Sequence, residues 1–294
     1  MALRICAIAS EVAPLAKTGG LADVAGALTR FLAAAGHDVR MFMPRYASLD
    51  PARLGCEVVP RLEDVGVDLG AHHYRFSVLR GHLPGSSAPI YLVECPALYA
   101  RRALYGADPD EHRRFLLLTR AAFEACQRMV FSPDILHCHD WHSAFGPLFK
   151  RTLYGWDRLF AGTRSVLTIH NLGYQGVFGA ADAADLNLGH GSYLLHQDDL
   201  RAGYVNSLKH GILYADRVTT VSPTYAREIC TPQLGMGLEQ VLSARGDAVL
   251  GILNGVDYEE WDPRRDRHLP PGQVVEEFRD AAGLTADEVA MLDE

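Results

Sequence analysis

A lysine and two adjacent glycines stand near the start of the chain, in the segment Lys17-Thr18-Gly19-Gly20. Paired glycines let backbone N–H groups approach an anion, a following helix adds a partial positive charge, and the lysine adds a full one. The segment therefore predicts a site for a phosphate-bearing ligand, with a tight turn and a solvated lysine as the alternative. It fits neither the P-loop pattern nor the dinucleotide pattern Gly-x-Gly-x-x-Gly, which removes the main support for nicotinamide chemistry.

A second group of polar and aromatic residues extends from His137 to His142. His137 and His139 alternate along a predicted strand and share one face, and no second cluster stands at ligand spacing, so we expect no metal. A tryptophan ring can stack on a sugar ring, while carboxylate and imidazole groups bond to hydroxyls. We therefore predict that Asp140, Trp141 and His142 line a sugar site.

A third group, His170-Asn171 with Tyr174-Gln175 after it, follows another predicted strand. An imidazole beside an amide at a strand end favours a functional role, and the alternative is a histidine that only supports the structure. The motifs Gly-x-Ser-x-Gly and His-Glu-x-x-His do not occur, which argues against a serine hydrolase and a zincin.

Strands and helices alternate in the order that would bring these groups together. Leu3–Ala9 is an apolar strand, a helix follows Gly20 and stops at Gly36, and Val39–Met43 is a second strand. Strand, helix and strand in that order form a βαβ unit, which implies a parallel sheet.

The same alternation continues through the chain, and the irregular stretch Val58–Val93 favours antiparallel strands. We predict a doubly wound parallel α/β sheet, in which ligands bind where the strands end at their C-terminal edge. The remaining predicted helices are Arg113–Met129, Trp141–Tyr154, Tyr204–Tyr214, Tyr225–Cys230 and Gln273–Ala282, and the remaining strands are Asp134–His139, Arg164–Ile169, Arg217–Val221 and Ala248–Leu253.

Composition excludes several other classes of protein. The 294 residues carry a net charge of −8, and the sequence pI is near 5.9, so a nucleic-acid partner is not expected. No apolar run reaches the length of a membrane span, which predicts no membrane partner. The six cysteines are scattered, as is typical of free thiols, and no leader is recognisable, so we predict a cytoplasmic protein.

The motifs together resemble a known family, that of bacterial glycogen synthases and plant starch synthases. The resemblance rests on Lys17–Val24, His139–His142, Thr168–Gly176, Tyr214–Tyr225 and Gly251–Asp257, in the same order as in the family. It implies the Rossmann-like N-terminal half of a retaining GT-B glycosyltransferase. Such an enzyme transfers glucose from ADP-glucose to the non-reducing end of an α-1,4-glucan, without a cofactor or metal.

The resemblance also implies a role for each matching position. His170 and Lys17 would be the catalytic residues. The donor would be bound by Lys17, Gly19, Gly20, Asn171 and Asn254, and the sugar or acceptor chain by Asp23, Tyr99, Asp140, Trp141, His142, Tyr174 and Gln175.

In the family the active site is shared between two domains, and the motifs of the second domain do not occur in these 294 residues. We expect an N-terminal catalytic domain at residues 1–253, and a hinge-like segment with a divergent helical tail at residues 254–294. The isolated chain is then expected to have little or no activity and to self-associate through the exposed interdomain face. The alternatives are a non-catalytic half-enzyme that binds glucan or a partner, and a related GT-B transferase that uses UDP-glucose.

Overall fold

The computed structural model describes residues 2–246 and 249–255. Twelve β-strands lie in this part of the chain: β1 (Arg4–Ile8), β2 (Asp38–Pro44), β3 (Glu57–Val58), β4 (Val65–Leu69), β5 (His72–His82), β6 (Pro89–Glu94), β7 (Ile135–His139), β8 (Arg164–Ile169), β9 (Val177–Gly179), β10 (Tyr204–Asn206), β11 (Arg217–Thr220) and β12 (Val249–Gly251).

Nine α-helices connect these strands within the described ranges, together with three short 3₁₀ turns. The helices are α1 (Gly20–Ala34), α2 (Pro96–Tyr99), α3 (Glu111–Arg128), α4 (Asp140–Ser143), α5 (Gly146–Arg151), α6 (Gln197–Arg201), α7 (Ser207–Tyr214), α8 (Pro223–Glu228) and α9 (Glu239–Ser243).

Ten of the strands form one mixed sheet whose main path runs β12-β11-β8-β7-β1-β2-β6-β5-β3, with β4 paired to β5. Pairing is parallel from β12 through β6. The strands β3, β4 and β5 are antiparallel to their neighbours. The predicted α/β class and the predicted antiparallel strands within Val58–Val93 are confirmed, and the sheet is mainly rather than wholly parallel.

Helices cover both faces of the parallel strands, as a doubly wound sheet requires. Along β1, Cys6 and Ile8 belong to the apolar cluster on one face, whereas Ile5 and Ala7 belong to the cluster on the other. Side chains alternate between the faces of a strand, so burial of both sets explains why the segment is apolar throughout. The first helix ends near Gly36, whose φ of +86° is easily adopted only by glycine.

Two predicted helices differ from the structure. The predicted helix Trp141–Tyr154 is two short helices, α4 and α5, and Pro147 in the first turn of α5 cannot donate the backbone hydrogen bond that a continuous helix needs. The predicted helix Tyr204–Tyr214 begins only at Ser207, because Asn206 accepts the N–H of Lys209 as its cap. The three residues before it pair with β9 instead.

The compact unit that contains the sheet ends at Asn254, and the domain boundary that we placed after residue 253 stays a prediction. The predicted helix Gln273–Ala282 lies outside the described residues. No helix in the described part of the chain is long and apolar enough to cross a membrane.

Candidate active site

The candidate site lies along the edge where the parallel strands end. The strands β8, β7 and β1 are consecutive neighbours in the sheet, so the end of β8 is two strand spacings, about 10 Å, from the end of β1. Lys17 follows β1, Asp140 follows β7 and His170 follows β8. The sheet therefore brings the three polar groups of the sequence to one edge, on neighbouring loops.

The buried carboxylate of Glu11 holds the glycine loop after β1 in place. Glu11 is 3% exposed and accepts the backbone N–H of Thr18 at 2.5 Å and its hydroxyl at 3.0 Å. Helix α1 follows directly, with Gly19 as an N-cap residue that provides no side-chain hydrogen bond. Its first-turn N–H groups therefore lack a side-chain cap, which suits an anion at this position.

Lys17 is paired across the first turn of that helix. Its Nζ lies 2.7 Å from Oδ1 of Asp23, and the two side chains are 44% and 38% exposed. An ion pair with this exposure contributes little to stability, so the ammonium group can be redirected to an anion at small cost. A Cβ at Gly19 or Gly20 would meet nothing within 4 Å, so the backbone there is open to a ligand.

Asp140 connects the loop after β7 to the loop after β8. The residue has a φ of +52°, and its Oδ1 accepts the N–H groups of His170 at 2.7 Å and Asn171 at 3.4 Å. The pKa of this carboxyl group is raised to about 7, mainly by burial; the two N–H groups oppose the shift, and the nearby Glu11 adds a smaller part of it. Asp140 therefore shapes the backbone around His170 from inside the protein.

Tyr105 contacts both the segment that follows β1 and the helix that follows β7. Its hydroxyl is 2.7 Å from Oγ of Ser10, beside Glu11, and its ring stacks on His142 with a centroid distance of 4.9 Å. Burial raises its pKa, and the charges of Glu11 and Asp140 add to the shift. Ser10, which follows β1, and His142 therefore contact one shared side chain.

Three imidazoles are neighbours under this edge. Nδ1 of His139 and Nε2 of His170 are 3.0 Å apart, and the rings of His137 and His139 have a centroid distance of 4.1 Å. Burial lowers the pKa of His137 and of His170 to about 4, with His137 contributing to the second shift, and it also holds the pKa of His139 well below its usual range. All three rings are therefore neutral at neutral pH.

Trp141 lines a cleft of about 490 Å³. Phe115 packs edge-on against the indole with a centroid distance of 4.9 Å. Gly176 packs against the ring so closely that a Cβ there would lie 2.1 Å from Cε3. We call this space the Trp141 cleft; its lining includes Asp108, Glu111, His112, Trp141, Val177 and Asp182.

The other residues expected at the site occupy different environments. Tyr174 is 67% exposed, and Asn171 is exposed and accepts the N–H of Gly173. Gln175 donates to the carbonyl of Met236 at 3.1 Å and accepts from Asn206, so its amide holds two segments together. Asn254 is exposed beyond β12, at the same edge of the sheet.

Tyr99 is not part of this surface. Its side chain is completely buried, and its hydroxyl donates to the carbonyl oxygen of Arg114 at 2.7 Å. Arg114 is itself buried, pairs with Glu111 at 2.8 Å and places its guanidinium near the ring of Phe115. In this arrangement Tyr99 supports the core beneath the site and offers no group to a sugar.

Among residues 2–246 and 249–255, one other group of side chains has metal-ligating chemistry, and it lies at the wall of the Trp141 cleft. Single ligand atoms of His112, Asp182 and Asp185 lie within 4.8 Å of one another. Arg113 is paired with both carboxylates, at 2.6 Å to Asp185 and 3.3 Å to Asp182. Arg113 already compensates the negative charge that would attract a cation, so we do not propose a metal site here.

Comparison with known proteins identifies the family. The profile described as the starch synthase catalytic domain matches residues 4–244. The chain belongs to the starch synthase catalytic domain family. Among its relatives, glycogen synthase 1 of Geobacter sulfurreducens is 44% identical over 273 residues, which are 91% of this chain and 54% of that protein. Glycogen synthase 2 of the same organism is 42% identical over 294 residues, 98% of this chain and 59% of that protein.

A solved structure agrees with both the family and the fold. The catalytic domain of starch synthase IV from Arabidopsis thaliana, bound to ADP and acarbose, superposes with a TM-score of 0.82 at 31% identity. The match covers 97% of this chain and 60% of that one. The chain therefore spans between half and two thirds of the length of the relatives it matches.

The sequence patterns assigned no role to two residues of this starch synthase domain. Glu11 and Tyr105 organise the edge, yet neither stands in a pattern that predicts chemistry. Glu11 directly follows the first strand and Ser10, which was the available signal. Tyr105 lies 95 positions from Ser10, and no local pattern could reveal that contact.

Proposed function

We propose that this chain provides the N-terminal half of a glucosyltransferase site, which transfers glucose from ADP-glucose to the non-reducing end of an α-1,4-glucan. The observation that carries the proposal is the position of the glycine loop, His170 and Trp141 on neighbouring loops of one sheet edge. Membership of the starch synthase catalytic domain family supports it, as does the relative that binds ADP and acarbose.

The diphosphate would lie at the start of α1. The N–H groups at Gly19 and Gly20 would face it, and Lys17 would turn from Asp23 toward it. Stabilising the negative charge of the departing diphosphate is the largest contribution that fixed groups can make to this reaction. Asp23 then holds the lysine in place until the donor arrives.

The transferring glucose would lie between the two loops. His170, Asn171 and Asn254 would contact it, with His170 as a neutral ring because burial lowers its pKa to about 4. Retention of the anomeric configuration is assigned to a front-face path through an oxocarbenium-like state, in which the chain's task is to position the acceptor and stabilise the leaving group. No metal is required.

The acceptor glucan would be held beside the Trp141 cleft by Trp141 and Tyr174, and the buried His142 would support the indole of Trp141 from behind, with a centroid distance of 4.2 Å. Asp140 and Gln175 would act through the backbone that they hold rather than by direct contact. Tyr99 is left out of the proposed site because it is buried.

The proposal places the protein in the cytoplasm, since all six cysteines are free and free thiols persist in a reducing compartment. It includes neither a nucleic-acid nor a membrane partner.

A second candidate function is glucan binding without transfer. The observation in its favour is the Trp141 cleft, which combines an indole ring with the carboxylates of Asp108, Glu111 and Asp182. Glucan affinity together with absent turnover would support this candidate.

Affinity electrophoresis through gels that contain soluble starch tests the acceptor part of both functions. We expect the wild-type chain to be retarded, and Trp141→Ala to lose about tenfold in affinity, as stacking contacts of an aromatic ring are worth about 1.5 kcal/mol. Trp156→Ala is the matched control, because that indole is 75% exposed and follows α5, away from the cleft. Equal retardation of Trp141→Ala and wild type would contradict the proposed acceptor site.

A further inference from the structure

His139 contributes nothing to the surface of the site, yet it is the direct partner of His170. Its side chain is completely buried, at the end of β7, and its Nδ1 lies 3.0 Å from Nε2 of His170. No acid or hydroxyl group in the described ranges bonds to either of the two remaining ring nitrogens, Nε2 of His139 and Nδ1 of His170. The hydrogen bond between the two rings therefore determines which nitrogen of each ring carries the proton.

A neutral imidazole has one N–H and one bare nitrogen, so the pair has two arrangements. In the first, Nδ1–H of His139 donates to Nε2 of His170, and His170 keeps its proton on Nδ1. In the second, Nε2–H of His170 donates to His139, and His139 keeps its proton on Nε2. The arrangements differ in which unpartnered nitrogen is an N–H and which is a bare lone pair.

Burial distinguishes the two arrangements. An N–H group without a partner in the interior is rarer than an acceptor without one. Protein atoms cover both unpartnered nitrogens, but the ring of His139 is completely buried, whereas that of His170 is partly exposed at the edge of the site. Each arrangement leaves one covered N–H, and the first places it on His170, the less deeply buried of the two rings, with only a lone pair on His139.

We infer that His139 is a positioning residue that donates its Nδ1–H to His170 and so fixes the neighbouring ring as the Nδ1–H tautomer. The ring of His170 is then held in one orientation, with its Nδ1–H covered by protein atoms. Burial of both rings, which lowers their pKa, keeps the pair neutral and agrees with this arrangement.

His170 is the residue that the proposed function places against the transferring glucose, so the positioning role of His139 rests on that function. The tautomer is itself a property of the chain without ligand, so it can be tested separately from substrate binding.

Long-range ¹H–¹⁵N correlation spectra of the ¹⁵N-histidine-labelled chain report the tautomer of each ring at neutral pH. We expect the Nδ1–H pattern for His170 in the wild type, with assignment from His170→Gln. His139→Asn keeps an amide donor close to the Nδ1 position, so we expect the pattern to be retained. His139→Leu keeps much of the volume but has no donor, so we expect the Nε2–H pattern that isolated imidazoles prefer.

The wild-type spectrum alone is decisive if the variants do not fold. An Nε2–H pattern for His170 in the wild type would overturn the inference, and so would an unchanged Nδ1–H pattern in folded His139→Leu. Loss of starch binding with a retained Nδ1–H pattern would count against the proposed function and leave the positioning role intact.

Discussion

Neutral imidazoles and one protonatable carboxyl group determine the chemistry of this edge at the scale of single residues. His137, His139 and His170 have lowered pKa values because they are buried. Asp140 has a raised pKa of about 7 for the same reason. A desolvated site of this kind holds little charge before a ligand binds, so the charge of a bound diphosphate would be felt strongly by Lys17 and by the start of α1.

The histidines predict how stability depends on pH. The pKa of His137 and of His170 is near 6.5 in the unfolded chain and about 4 in the fold, so the unfolded chain binds more protons in that interval. The free energy of unfolding is therefore expected to fall as the pH decreases from about 6.5 to about 4, because His137, His139 and His170 together outweigh the opposite contribution of Asp140, whose pKa is raised in the fold. Each of these histidines contributes roughly 1.4 kcal/mol to that fall for every pH unit in the interval.

Urea unfolding at a series of pH values measures this dependence. His139→Leu should reduce its slope, because one titrating group is removed from the interior. His190→Leu is the control, since His190 is exposed and should leave the slope unchanged. Wild-type stability that is constant through this interval would contradict the buried, neutral state of the three rings.

At the scale of elements, loops with special backbone geometry position the side chains that the strands bring together. Gly176 has a φ of +61° and packs against the indole of Trp141. Glu11 holds the turn before α1 through the N–H and hydroxyl of Thr18. These contacts keep the loops fixed before any ligand arrives, which reduces the entropy that binding costs.

Gly176→Ala is expected to displace Trp141 and to weaken starch binding about tenfold or more, with a loss of about 1–3 kcal/mol in stability. The added methyl group would lie 2.1 Å from the indole, in a backbone conformation that favours glycine. Gly189→Ala is the matched control, because its φ is +53° and a Cβ there meets nothing within 4 Å. Tryptophan fluorescence and affinity electrophoresis provide the measurements, and equal effects of the two variants would contradict the role of the close contact.

Sequence patterns predicted those elements whose signal is local. The strand Arg164–Ile169 has the predicted bounds, since its apolar residues Val166, Leu167 and Ile169 directly precede the polar pair His170-Asn171. The break between α4 and α5 was missed although Pro147 marks it, because the apolar periodicity continues through the proline. The burial of Tyr99 and the contact of Tyr105 with Ser10 arise from tertiary packing, and no local pattern reports them.

At the scale of the whole molecule, the length of the chain bears on its activity. It spans 54% to 60% of the relatives to which it was compared. The family resemblance places the arginine and lysine that grip the diphosphate, and a glutamate near the glucose, in a second domain. The edge described above would then be one side of a two-sided site.

We therefore expect the 294-residue chain alone to transfer little or no glucose from ADP-glucose to glycogen. Incorporation of labelled glucose measures this directly. Transfer at a rate typical of enzymes, about 1 per second or faster, would contradict the expectation.

We also expect the isolated chain to self-associate through the exposed edge of the sheet. Sedimentation velocity would detect this self-association, and a monomer at all concentrations would contradict it.

The central claim is that the glycine loop and the His170 loop form one site for a nucleotide diphosphate sugar. Amide chemical shifts of the ¹⁵N-labelled chain during titration with ADP test it most directly, because they detect weak binding and locate it. We predict shifts that cluster at residues 17–21 and 170–171, and an affinity that falls about tenfold in Lys17→Ala, as the loss of a charge-assisted contact to phosphate implies. Arg164→Ala, which removes a charge that is 77% exposed at the opposite end of β8, should bind as the wild type does. Absent shifts, shifts elsewhere on the protein, or equal binding by Lys17→Ala and wild type would contradict the account.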